Sequence, residues 1–183
     1  MATKGKTISN KKTGEKITWL ETSKDTQGKR LVFDFSVSPK GKLPVVHFHP
    51  NQTEIFEIQK GEFCIKIGKE TKHLKLGDRI IIDKGIAHQW WNPSESQADE
   101  MKVIFEPALN TETFLEQFFV LGNDNKTKPD GTPPFLQIMA MANKYEIYVD
   151  GPPLVIQKIM SVVLGGIARL IGYKSHYDKY SNN

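Results

Sequence analysis

Through about residue 108 the apolar positions come in short runs broken by turn residues. Ile17-Thr18-Trp19-Leu20 follows Thr13-Gly14, and Leu31 to Val37 alternates apolar with polar before Pro39-Lys40-Gly41 stops it. Val45 to His49, Glu54 to Gln59 and Phe63 to Ile67 come next, the last two joined by a tight Lys60-Gly61 turn. Arg79 to Ile82, Ala87 to Asn92 and Met101 to Phe105 complete the series. Alternation sends successive side chains to opposite faces of a strand. Many short strands at near-regular spacing predict a mainly β chain, a sandwich or barrel, rather than βαβ units.

Past Pro107 the period lengthens to that of a helix. Asn110 is placed to cap a first helix carrying Phe114, Leu115, Phe118, Phe119 and Leu121, and Gly122 suits its C′ position. Asn123 to Gly131 reads as a polar loop. Pro133-Pro134 opens a second helix with Phe135, Ile138, Met139, Met141, Ala142 and Tyr145 as its apolar set. Asp150-Gly151-Pro152-Pro153 opens a third, running to about Ile171. The expected division is a β-barrel over residues 1–108 and an extension of about three helices over 109–183, packing on the barrel or on a dimer partner.

In the third helix Gln157, Ser161, Gly165 and Arg169 form one narrow polar stripe. The rest of its circumference, with Ile156, Ile159, Met160, Val163, Leu164, Ile167 and Leu170, is apolar over a wide arc. Such a helix must be covered on more than one side, by barrel and neighbouring helices or by a dimer partner. Its stripe is too weakly basic for a membrane-surface helix. Ile159 to Ala168, the longest apolar stretch, is too short for stable membrane insertion.

Composition changes this picture little: 183 residues with 38% hydrophobic and 25% charged suit one compact domain with a small appendage. Cys64 is the single cysteine, which excludes an internal disulfide framework and a thiolate metal cluster. The net charge of +4 is an N-terminal feature, with eight Lys/Arg against three Asp/Glu in residues 1–30. Those basic residues are interleaved with Thr, Ser and Gly rather than with aromatics, so they read as a solvated edge and no nucleic-acid partner is expected. The first residues carry no apolar leader, and a cytoplasmic protein is the expectation.

Candidate chemistry is concentrated in His47-Phe48-His49-Pro50-Asn51-Gln52-Thr53-Glu54. On a strand His47 and His49 project to the same side, and Glu54 lies across a short turn from them. His88 follows Lys84-Gly85 on a separate strand. Three imidazoles and a carboxylate converging inside a barrel suit one divalent transition metal: Fe, Ni, Cu or Zn through imidazole, with Mn admitted by the carboxylate. Strand histidines that merely pair across a sheet are the plainer alternative. Trp90 shares strand parity with His88 and is either a wall of the same pocket or ordinary core. Glu57 falls on the outward parity, Cys64 reads as a small buried hydrophobe, and His73 and His176 read as solvated.

The spacing extends beyond these residues. Five residues separate Gly41 from His47; then come His-x-His, four residues, Glu54, six residues and Gly61. Later come Gly77, five residues, Asp83, one residue, Gly85, two residues, His88, three residues and Asn92. At these positions the chain resembles the cupin superfamily, whose two motifs read G-x5-HxH-x3,4-E-x6-G and G-x5-PxG-x2-H-x3-N. Asp83 replaces the usual proline and touches no ligand position. The resemblance covers about residues 30–106. It implies a small cupin-type β-barrel, or jelly roll, with His47, His49, Glu54 and His88 as metal ligands. The strand-then-tail layout is similar to small single-domain cupins with C-terminal helices. Dimerisation through sheet edges is also implied, and a homodimer is expected.

Cupins span enzymes, ligand-binding regulators and storage proteins, so the fold does not select the function. One expectation is a mononuclear metal-dependent enzyme, most sharply a dioxygenase, acting on a small organic molecule, with Glu54 also a candidate catalytic base. The other is a non-catalytic cupin binding a sugar or metabolite in the same cavity. A purely structural barrel with idle histidines is the third.

Overall fold

The computed structural model describes residues 2–178. The chain forms β1 (Thr7–Ser9), β2 (Lys16–Glu21), β3 (Leu31–Val37), β4 (His47–Phe48), β5 (Thr53–Lys60) and β6 (Glu62–Ile67). There follow β7 (Glu70–Lys75), β8 (Arg79–Ile82), β9 (His88–Trp91) and β10 (Asp99–Glu106). Then come α1 (Thr111–Asn123), α2 (Phe135–Tyr145), β11 (Tyr148–Val149) and α3 (Leu154–Leu170). The strands make two antiparallel sheets, ordered β1-β2-β3-β10-β5-β8 and β11-β4-β9-β6-β7. This is the mainly β architecture with C-terminal helices that the hydrophobic pattern predicts.

Both sheets turn one face into a single core. Ile17, Trp19, Phe33, Phe35, Phe56, Met101 and Val103 come from the six-stranded sheet, and Phe63, Ile65 and Trp90 from the five-stranded one. Their period of two is why the sequence alternates. Phe35 meets Trp90 edge-on with ring centroids 5.2 Å apart, bridging the sheets. Phe119 of α1 joins the same cluster, so the first helix closes over the barrel.

Gly41 and Asn92, the outer members of the two spaced motifs, hold one another. The Asn92 backbone N–H donates to the Gly41 carbonyl at 2.8 Å. Its buried side-chain amide donates to the carbonyls of Val37, Ser38 and Gln97 and accepts from Ser94 N–H. A Cβ on Gly41 would lie 2.8 Å from the Ser38 carbonyl oxygen, so only glycine lets this turn close.

Several elements differ from the sequence expectation. The strand expected over Val45 to His49 is only His47–Phe48, because Pro44 and Pro50 bracket it and lack a donor N–H. β7 escapes a hydrophobic-pattern search because Leu74 is its one buried residue. Gly122 is not a C′ residue but lies within α1, where a Cβ would meet the Asn10 side chain at 2.6 Å. Asn110 precedes α1 without a side-chain capping bond; its amide donates to the Lys144 carbonyl instead.

The largest difference is the orientation of α3. Gln157, Ser161 and Gly165 of its polar stripe, not its apolar arc, face the protein, while Arg169 is exposed. Gln157 donates to the carbonyls of Val149 and Pro152 and accepts from Val149 N–H. Ser161 Oγ donates to the Met139 carbonyl at 2.8 Å, and a Cβ on Gly165 would lie 2.6 Å from that same oxygen. Small and hydrogen-bonding residues therefore bring α3 close to α2. Outside, Val155, Ile156, Ile159, Val162, Val163, Ile167 and Leu170, with Ile171 just beyond the helix, are 48–88% exposed. No helix among the described residues is long and apolar enough to cross a membrane.

Candidate metal centre and cavity

Three strands and the turn after β4 deliver the histidine and carboxylate side chains to one place. β4 and β9 pair so that His47 and His88 are directly opposed, and their rings stand 4.5 Å apart. His49 follows β4, and Gly85, at φ +77°, donates its N–H to the His49 carbonyl at 2.8 Å. This turn ties the second motif to the first. Glu54 comes from β5 in the other sheet, opposite Phe105 and Ile82. All four side chains are buried, and their ligand atoms lie within 4.8 Å of one another.

The donor chemistry of this cluster suits a cation at its centre. His47 Nε2 and His49 Nε2 face each other at 3.0 Å, while both Nδ1 atoms are buried without a hydrogen-bond partner. His88 Nδ1 must carry a proton, because it lies 2.9 Å from the Ile86 carbonyl oxygen, which can only accept. A neutral His88 thus turns a bare Nε2 toward Glu54 Oε2 at 2.8 Å, and His49 Nε2 lies 3.5 Å from that oxygen. Lone pairs this close repel unless a proton or metal ion stands between them. Two donors bound at right angles to one ion at about 2.1 Å would be about 3.0 Å apart, close to the separations found. The four side chains therefore fit a divalent transition metal, with His88 oriented by its backbone partner.

Without an ion, a proton takes its place between His88 and Glu54. Burial, reinforced by the neighbouring His49 and His88, pushes His47 well below the ordinary imidazole range, so it is a neutral donor. Burial alone would raise Glu54, but hydrogen bonds from His49 and His88 outweigh it and hold the carboxyl well below the usual carboxylate range. Burial opposes charge on His88 as well, yet its bond to Glu54 lifts it above the ordinary value.

His47, His49 and Glu54 open onto a cavity of about 190 Å³, whereas His88 lies behind them. Its walls are largely aromatic and aliphatic: Phe33, Phe35, Phe56, Trp90 and Phe105 from the barrel, Phe114 and Phe118 from α1, Ile138, Met141 and Tyr145 from α2. Trp90 is thus both a cavity-lining and a core residue. Tyr145 is pushed up to about 12 by burial and then by Glu116, so it stays an uncharged phenol. Thr13 and Glu15 line the cavity too, a placement the sequence reading missed. No periodic signal marks Glu15, which stands between Gly14 and Lys16 at the start of a strand.

The remaining residues separate cleanly. Glu57 points outward and pairs with Arg79 at 3.0 Å. Cys64 is buried, but its Sγ lies 3.3 Å from Nδ1 of the cross-strand His73, so that histidine is not simply solvated. His176 stands 3.5 Å from the Tyr145 hydroxyl.

A family model described as a cupin domain matches residues 33–104, the segment that carries both spaced motifs. Residues 33–104 of this 183-residue chain thus form a cupin domain. An oxidoreductase from Arthrobotrys oligospora is 24% identical over 81% of this chain and 63% of its own length. The epoxidase atD from Aspergillus terreus is 26% identical over 76% of this chain and 47% of its own. The chain thus spans between about half and under two thirds of these curated relatives. Among solved structures, an RmlC-like cupin from Shewanella frigidimarina is similar at 18% identity and a TM-score of 0.49, covering 57% of this chain and 86% of that one.

Proposed function

We propose that His47, His49, Glu54 and His88 hold one divalent transition-metal ion, and that the protein is a cytoplasmic metal-dependent oxidoreductase, most sharply a dioxygenase, acting on a small apolar molecule. One observation carries this: four inward-facing lone-pair donors, three of them opening onto an apolar cavity. Relatives named oxidoreductase and epoxidase support oxidative chemistry. When bound, the ion would polarise a substrate oxygen and, as Fe, Mn, Ni or Cu, exchange electrons with dioxygen.

The chain's own contribution is orientation and exclusion of water. The Ile86 carbonyl fixes His88, and the Phe105 ring meets His49 edge-on at 5.3 Å. Phe33, Phe56 and Trp90 keep the cavity dry beside the donors. Glu54 is the carboxylate at this end and the proposed base. Residues 1–108 then carry the site, and 109–183 supply its helical cover. Sugar binding fits less well, because the many hydroxyls of a sugar would meet a wall made mainly of phenyl and aliphatic groups with few hydrogen-bond partners.

The test is metal content after purification without a histidine tag. Near-stoichiometric Fe, Mn, Ni or Cu is expected, with His49→Ala folded but depleted of metal. Full occupancy in His49→Ala, or no metal even after reconstitution, would overturn the ligand set. Stoichiometric zinc without oxygen consumption across apolar substrates would favour the non-catalytic binding role instead.

The proposed homodimer forms through the outward face of α3. Its eight exposed apolar side chains offer on the order of 800 Å², the area each partner contributes to a standard interface. The face is built from Val, Ile and Leu without Trp or Phe, which suits helix packing against a second copy better than anchoring at a lipid interface. Light scattering at micromolar concentration should give twice the chain mass, and Ile159→Glu should halve it. A wild-type monomer, including one that floats with phosphatidylglycerol vesicles, would overturn this assignment.

A further inference from the structure

Glu15 is an anomaly in the cavity wall. It is 6% exposed, and the Thr13 hydroxyl donates to its Oε2 at 2.7 Å. Among the described residues nothing pairs with Oε1. The cavity it lines is walled mainly by apolar side chains, Ile17, Leu115 and Phe119 among them, which cannot solvate a carboxyl group. Burial pushes its pKa up, with the Thr13 bond acting in the opposite direction. Acids that serve the fold elsewhere are tied to backbone donors: Asp99 to Glu62 N–H, Glu112 to Ser23 N–H. Glu15 has no such tie, and a buried carboxyl with a free oxygen costs stability unless something enters to meet it.

Its place in the sheet separates it from the metal ligands. β2, which Glu15 precedes, lies three positions from β5, which carries Glu54, yet both residues line the same cavity. We propose that Glu15 is a recognition residue for a hydroxyl group on the substrate, so that the molecule is an apolar skeleton with one oxygen at the His/Glu cluster and a hydroxyl at the opposite end. A hydroxyl suits Glu15 in either protonation state, donating to the carboxylate or accepting from the acid. A cationic amine would bring an uncompensated charge past the phenyl walls. For scale, an apolar cavity of about 150 Å³ holds benzene. The 190 Å³ here leaves room for a ring with substituents.

This inference rests on the cavity being a substrate site, and its test does not depend on metal. Calorimetric titration compares 4-ethylphenol with ethylbenzene, which differ by one hydroxyl, on as-purified and chelator-stripped protein. Both should bind, with the phenol favoured roughly tenfold, the worth of one buried hydrogen bond. Glu15→Leu should erase that preference, Glu15→Gln should keep part of it, and His49→Ala should keep all of it. Circular dichroism confirms that each variant is folded. A preference that survives Glu15→Leu but vanishes in His49→Ala would place the hydroxyl at the wrong end. Equal binding of the two probes, binding of neither, or tighter binding of 4-ethylbenzylamine would also overturn the assignment. If the protein proves metal-free yet the Glu15-dependent preference holds, the oxidoreductase proposal fails and this one stands.

Discussion

Adding one methyl group to each of two adjacent glycines in α3 separates helix propensity from packing. Alanine favours a helix over glycine by about 0.8–1.0 kcal/mol, because the glycine backbone has more freedom to lose. At Gly166 a Cβ meets nothing within 4 Å, so Gly166→Ala should stabilise by about 1 kcal/mol. At Gly165 the Cβ falls 2.6 Å from the Met139 carbonyl oxygen and 3.1 Å from its carbon. These are backbone atoms inside α2 and cannot swing aside. Restoring an ordinary C···O separation of about 3.3 Å requires α3 to lift by about 0.7 Å. That movement takes the 2.8 Å Ser161–Met139 hydrogen bond to the edge of its range. Overpacking costs about 1–3 kcal/mol and the bond about 1 kcal/mol, against about 1 kcal/mol of propensity gained. Gly165→Ala should therefore destabilise by about 1–3 kcal/mol. Urea unfolding followed by circular dichroism gives both values, run over a concentration series so that association is separated from packing. Amide exchange should rise along α3 in Gly165→Ala alone. Stabilisation by both alanines would refute the close approach of α3 to α2.

Three further outcomes follow from the site and its supports. Metal held at a hundredfold excess over its dissociation constant adds about 2.7 kcal/mol, so chelation should lower the Tm by about 5–10 °C in scanning calorimetry; an unchanged Tm counts against a bound ion. Asn92→Ala strands three backbone carbonyls and the Ser94 N–H, and should cost about 2–3 kcal/mol in urea; a loss below about 0.5 kcal/mol would show that the two motif ends do not hold the barrel together. Because Glu15 holds its proton more tightly folded than unfolded, wild-type stability should fall as pH rises through the ordinary carboxyl range toward the raised folded value. Glu15→Gln removes that slope: the two proteins should unfold alike at low pH and the variant should be more stable above it, and parallel stability curves would refute the raised pKa.

The barrel was legible wherever one strand face is apolar and the other polar, as in Leu31–Val37 and Thr53–Lys60. Strand parity likewise placed His47 and His49 together, and the spaced glycines carried His88 to them. β7 was not legible, since five of its six residues are exposed and it leaves no alternation to detect. The third helix could be read for its two faces but not for its direction. The usual rule turns the apolar arc inward, and here Ser161 and Gly165 win because only small residues admit the α2 backbone. Glu15 was invisible for a related reason. The cavity it lines is completed by residues of α1, contributed from a hundred residues further along the chain.

β7 ends the five-stranded sheet, and Glu70, Thr71, Lys72 and Lys75 along it are exposed. A bare strand at the rim of a sheet is an open invitation to a stranger's backbone, and from there to tangled, insoluble assemblies. Mixed charges along this rim withdraw the invitation, since any newcomer would have to strip water from each of them. Strand-on-strand stacking from that side is thereby disfavoured, which leaves the remaining flanks as the easier places to meet company.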